Sequence, residues 1–111
     1  MTTHAEVDAG SCGFVTRMSV ERHGRRVEIH ITSDCEKVAK FAEALKSIDW
    51  ADALTQMCDS VVYHAATRAR LHPSCAVPAA LLRAVEIETG AATPKEVKMR
   101  FAKSRAHGAD K

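Results

Sequence analysis

The four cysteines of this chain, Cys12, Cys35, Cys58 and Cys75, are its residues best suited to chemistry. Thiolates are soft ligands for zinc and iron–sulfur clusters, and paired thiols form reversible disulfides. Cys35 lies in TSDCEKV (32–38), inside a helix start where Ser33 and Glu36 have the spacing of a capping box. Cys75 lies in HPSCAVP (72–78), directly before a Pro78 that suits a first helical turn. Two cysteines thus fall at predicted helix N-termini, where free N–H groups and the macrodipole favour negative charge. Cys58 lies in TQMCDS (55–60), a connection without periodicity. The gaps between successive cysteines are 22, 22 and 16 residues, so no zinc-finger, ribbon or ferredoxin spacing applies. A shared site therefore depends on the fold bringing the thiols together.

The elements that could do so begin with a hairpin. Phe14, Thr16, Met18 and Val20 share one parity, and Val27, Ile29 and Ile31 alternate with polar residues, with His23 and Gly24 between the runs. A two-residue turn at His23 and Gly24 pairs Val20 with Val27, Met18 with Ile29 and Thr16 with Ile31, giving one apolar face. The other face then pairs Glu21 with Arg26 and Arg17 with His30. A helix over 34–47 carries Val38, Phe41, Ala42 and Leu45 on one stripe. A second helix over 60–71 presents Val62, Ala65, Ala66 and Ala69 and ends at His72 and Pro73. A third runs over 78–89 to a Gly90 cap. Val97, Met99 and Phe101 alternate with Lys98 and Arg100, the pattern of a final strand. The expected fold is α+β in the order ββαααβ, with helices on one face of a small, mainly antiparallel sheet. Residues 11–102 form the domain, and 1–10 and 103–111 read as flexible tails.

The same hairpin register, extended past the strand ends, sets Cys12 opposite Cys35. Three readings follow for Cys12, Cys35 and Cys75. As three thiolates they suit a [4Fe–4S] cluster with one open iron, or a zinc ion completed by His72, Asp34 or Cys58. As neighbours, Cys12 and Cys35 suit metal-free thiol redox chemistry. As small apolar side chains, all three are inert parts of an interaction domain. His72 also reads as a polar helix end, and Asp34 as a support for the helix N-terminus. Glu86, about two turns beyond Pro78, reads either as solvated or as reaching toward the cysteines. No Ser/His/Asp grouping or glycine-rich phosphate loop is present.

The stretches SCGF (11–14), ITSDCEKV (31–38), LHPSCAVP (71–78) and LLRAVEIETG (81–90), with Pro94 after them, resemble a family of small uncharacterised prokaryotic proteins, a domain of unknown function. Its pattern is CGF, SDC, then HxxCxVP leading into a glutamate-bearing helix and a last strand. The resemblance spans 11–102 and marks Cys12, Cys35 and Cys75, with no counterpart for Cys58. Where the family link carries Leu-Ala-Leu-Pro, this chain has Ala91, Ala92, Thr93 and Pro94. The resemblance implies which residues matter and brings no activity with it.

With 111 residues, 46% hydrophobic and 27% charged, the chain suits one compact core. A net charge of +2 and 5% aromatic residues argue against a nucleic-acid surface. The first residues lack a signal-peptide pattern, and no run approaches the roughly 18 apolar residues of a membrane span. The expected setting is cytoplasmic, without membrane contact. The open edge of a three-stranded sheet leaves a place for a homodimer.

Overall fold

The computed structural model describes residues 1–104. Four strands, β1 (Thr2–Asp8), β2 (Val15–His23), β3 (Arg26–Ser33) and β4 (Ser47–Asp49), form one antiparallel sheet in the order β1-β2-β3-β4. Three helices, α1 (Glu36–Ala44), α2 (Val61–Arg68) and α3 (Val77–Glu88), cover one face. Short 3₁₀ turns span Gly10–Cys12, Trp50–Leu54 and Met57–Asp59. The architecture is α+β, but its order differs from ββαααβ. One strand precedes the hairpin, β4 follows the first helix, and no strand follows α3 among the described residues.

The hairpin turns at Gly24 and Arg25, one residue later than expected. Gly24 has a φ of 62°, the left-handed conformation that the first central position of a II′ turn demands. Moving the turn by one residue slides the pairing by two. Val20 therefore faces Ile29, Met18 faces Ile31, Thr16 faces Ser33 and Glu21 faces Glu28, while Arg17 and His30 face Thr32 and Ser19. An even slide keeps every side chain on its expected face. Met18, Val20, Val27 and Ile29 accordingly lie in the core. Phe14 precedes β2 and is exposed.

Residues 1–10, expected as a tail, contain the edge strand β1, whose Thr3, Ala5 and Val7 pair with Val20, Met18 and Thr16. β4 places Ile48 in the core beside Val27. The core is completed by Val38, Phe41 and Leu45 around α1, by Val62, Ala65, Ala66 and Ala69 around α2, and by Val77, Leu81, Ala84 and Val85 from α3. Each fully buried large aliphatic contributes about 1.5–3 kcal/mol.

Helices α2 and α3 both end in Schellman motifs. Gly90, φ 86°, supplies the left-handed residue after α3, where its amide donates to Ile87 O at 3.1 Å and that of Ala91 to Glu86 O at 2.8 Å. After α2 that position is Arg70, φ 62°, with Leu71 N donating to Ala66 O at 3.0 Å. A side chain in this region is uncommon, and it opens the loop that carries His72 and Cys75.

Beyond the hairpin tip, Trp50 lies under the guanidinium groups of Arg22 and Arg25, at 5.9 and 5.6 Å from its ring centre. Arg25 also binds both carboxylate oxygens of Asp49, at 3.1 and 3.2 Å. Asp49 accepts from Ala51 N at 2.9 Å. That amide first, then Arg25 and Arg26, hold the Asp49 carboxyl below the usual carboxylate range against the opposing effect of desolvation. A lowered folded value means that the stabilisation is present above the ordinary Asp value of about 3.9 and disappears as pH falls through the folded one. Asp49→Asn is therefore expected to lower stability to urea at pH 7. The difference from wild type should shrink as pH falls below the ordinary Asp value and through the lowered folded one.

Candidate functional site

The direction of α3 decides which end of the sheet receives Cys75. At its last turn, Glu88 accepts from Thr3 Oγ1 at 2.7 Å and from Arg22 N at 3.1 Å. The C-terminus of α3 is thereby tied to the start of β1 and the tip of the β2–β3 hairpin. Since α3 packs along β1 and β2, its first turn points toward the other end of the sheet. That end carries the β1–β2 connection, with Cys12, and the exit of β3, with Cys35. The segments carrying Cys12 and Cys35 therefore share one end of the sheet, and the start of α3, next to Cys75, is directed toward it.

Cys35 is fixed there by its backbone. It is the N-cap of α1, with φ −76° and ψ 121°, and its carbonyl accepts from Ala39 N at 2.9 Å. Ser33 is not the N-cap, and the capping box does not form: the Ser33 hydroxyl accepts from Cys35 N at 3.2 Å and from the buried Thr16 hydroxyl at 2.9 Å. Helix α1 starts at Glu36 rather than 34, because Cys35 itself keeps an extended backbone. The Cys35 side chain makes no capping hydrogen bond. A serine, aspartate or asparagine there would satisfy a first-turn amide, worth about 1 kcal/mol. The N-terminus of α3 likewise has no side-chain cap: its N-cap is Ala76, next to Cys75. By contrast α2, which starts away from the cysteines, is capped by Ser60, and Asp52 accepts from Ser60 Oγ, Val61 N and Val62 N at 2.8, 2.8 and 3.2 Å.

Cys35 and Cys75 are half-buried and pack against the core. Cys75 N donates to His72 O at 2.9 Å, which closes a turn within the HPSC loop. Cys12 is exposed at the end of a 3₁₀ turn, followed by Gly13 at φ 75°. The expected pairing of Cys12 directly opposite Cys35 does not occur. The observed register places position 14 opposite 35, and the 3₁₀ turn takes Cys12 out of the ladder. All four thiols are free, and among the described residues the sulfurs of Cys12, Cys35 and Cys75 do not lie mutually within 4.8 Å. Asp34 and His72 are exposed neighbours of Cys35 and Cys75. Cys58, also exposed, precedes α2 and is separated by that helix from the loop of Cys75; its carbonyl bonds the His64 ring at 2.7 Å.

Glu86 does not reach toward the cysteines. It pairs with Arg83 at 3.4 Å on a cleft that also includes Asp52, Ser60, Tyr63 and Leu82. The group of three potential ligand atoms found within 4.8 Å of one another among the described residues is Glu21, His23 and Glu28, on the solvent-facing side of the hairpin. The shifted turn hid it from the sequence, where Glu21 was expected beside Arg26.

The model of a family of unknown function, DUF6951, matches residues 3–101. The chain belongs to this family. The match spans β1 as well as the cysteine-bearing segments, so the DUF6951 domain begins some eight residues before the first stretch that carried the resemblance. Neither the curated proteins nor the solved structures offer a match. No helix of the DUF6951 chain is long and apolar enough to cross a membrane among the described residues.

Proposed function

We propose that this DUF6951 protein binds an iron–sulfur cluster through Cys12, Cys35 and Cys75 and acts in cluster handling or redox chemistry. What supports the reading is that the segments carrying Cys12 and Cys35 share one end of the sheet, that the start of α3 beside Cys75 is directed toward it, and that the N-termini of α1 and α3 have no side-chain caps. Such N-termini complement anionic groups. A local rule is broken at Cys35, where a polar cap is replaced by a thiol, and again at Arg70, whose strained backbone opens the loop of Cys75.

Three soft thiolates without a local fourth ligand suit a cluster. Tetrahedral zinc with Zn–S bonds of about 2.3 Å needs its sulfurs within about 3.8 Å of one another, closer than these three lie. In a cluster each thiolate takes a different iron, so the sulfurs stand further apart. With three protein thiolates, a [4Fe–4S] cluster supplies an iron open to an exogenous ligand, and a carrier for one electron. Cys12, Cys35 and Cys75 would hold it. Zinc completed by His72 or Asp34 is the second reading, since these side chains are exposed beside Cys75 and Cys35; Cys58, before α2, is the more distant candidate for the fourth ligand.

Anaerobic reconstitution with iron and sulfide, followed by desalting and analysis of iron, sulfide and zinc, tests the proposal. Stoichiometric iron and sulfide is the expected result. Protein free of iron, sulfide and zinc would overturn both metal readings, and reversible loss of two alkylatable thiols on mild oxidation would then favour a metal-free redox pair.

A further inference from the structure

The segment after α3 carries three large apolar side chains that face solvent. Val97, Met99 and Phe101 are 63, 69 and 89% exposed and alternate with Lys98 and Arg100. This is the period of a strand, yet the segment pairs with no strand among the described residues. It follows the Schellman turn of Gly90, and residues 93–104 are exposed throughout. The described residues extend over 54 × 29 × 25 Å with a radius of gyration of 15.3 Å, above the roughly 13 Å of a compact domain of this length.

The sheet has a matching vacancy in β1, an edge strand of seven residues with one side unpaired. Its core-facing residues are Thr3, Ala5 and Val7, of which Thr3 and Ala5 are only half-buried, so the apolar layer between sheet and α3 is open at this edge. Its solvent-facing residues include Glu6 and Asp8. Residues 96–102 match β1 in length, about 23 Å extended. Laid along it, Val97, Met99 and Phe101 extend the apolar layer, and Lys98 and Arg100 fall on the face of Glu6 and Asp8. Glu6 already meets Arg17 on its inner side at 2.9 Å, so an added cation continues an alternating row. The other edge is poorer: β4 has three residues and pairs with only Arg26, Val27 and Glu28 of β3.

We infer that residues 96–102 of one copy of this chain add as a fifth strand to the β1 edge of a second copy, with reciprocal exchange closing a two-fold dimer. One exchange covers the exposed apolar residues and the open edge of both copies, which accounts for an aggregation-prone edge and an unpartnered apolar strand in the same molecule.

Sedimentation of the full chain over a concentration series tests this. Wild type is expected to be dimeric at micromolar concentration. The double variant Met99→Asp/Phe101→Asp should be monomeric with an unchanged far-UV spectrum, since both side chains lie outside the core. Glu6→Lys/Asp8→Lys should weaken the dimer by about tenfold or more, and adding Lys98→Glu/Arg100→Glu should restore it. A wild type that stays monomeric at about 100 μM, or a dimer that survives Met99→Asp/Phe101→Asp, overturns the exchange. Charge reversals without effect overturn the assignment to β1.

Discussion

Replacing Cys35 with serine is expected to move stability and metal loading in opposite directions. The position is the N-cap of α1, and its thiol caps nothing. A serine hydroxyl there can accept a first-turn amide, so metal-free Cys35→Ser should gain about 0.5–1 kcal/mol in urea unfolding. The scaffold would be untouched, because Cys35 is held by its own amide on Ser33 and by its carbonyl on Ala39 N. Reconstituted Cys35→Ser should nevertheless retain little iron and sulfide, since a neutral hydroxyl replaces a soft anionic ligand. Cys12→Ser and Cys75→Ser should lose loading in the same way without the gain in stability. Cys58→Ser should load like wild type, because Cys58 lies beyond α2 from the loop of Cys75. Unimpaired loading in Cys35→Ser would remove this residue from the site. A loss in Cys58→Ser equal to that in Cys35→Ser would mean that the site had been drawn at the wrong place.

The faces of the hairpin were legible because a strand has a period of two and the error in the turn was one residue, which slides the pairing by two. Val20 and Ile29 reach the core under either register. The partner of Cys12 was not legible for the same reason: a slide of two leaves faces alone but changes which residues meet, and the Gly10–Cys12 turn adds a departure that alternation cannot signal. Glu21 and Glu28 were missed together through that slide. β1 was missed because its inward residues, Thr3, Ala5 and Val7, include a single large apolar side chain, and its order comes from pairing with β2 rather than from its own pattern. β4 is three residues long, below the length at which alternation can be read. At 97–101 the alternation is genuine and the strand is absent from the chain's own sheet, since pattern specifies the face a strand offers and not the partner it meets. The ends of α3 were easier, because Pro78 and Gly90 act through local backbone chemistry, whereas α2 stops at Arg68 rather than at 71, its left-handed cap being Arg70, a residue type that gives no such signal.

Phe41→Ala is expected to have the largest effect on stability of any single truncation. Phe41 is the largest fully buried side chain and the one aromatic residue in the core. It is the middle of the α1 stripe of Val38, Phe41 and Leu45, and α1 rests on β3 and α2. Truncation removes the ring and leaves a space that the neighbours on a sheet and a second helix can only partly close, a cost of about 3–5 kcal/mol. Against a total of about 5–15 kcal/mol for a typical domain, that loss should lower the thermal midpoint by roughly 15 °C. The urea slope should stay unchanged if the folded and unfolded states keep their surfaces. Phe101→Ala provides the contrast, since a side chain 89% exposed should change the stability of the dilute monomer by less than about 0.5 kcal/mol. A cost below about 1 kcal/mol for Phe41→Ala would mean that α1 is not anchored through this ring. The consequence extends to the proposed site, because α1 is also what holds Cys35 at the end of β3. Loosening its anchor should slow cluster reconstitution even though Phe41 is two turns from the thiol, and raising the protein's stability with Cys35-independent changes should recover it. Recovery of folding without recovery of loading would place Phe41 closer to the cluster than its position in the core implies.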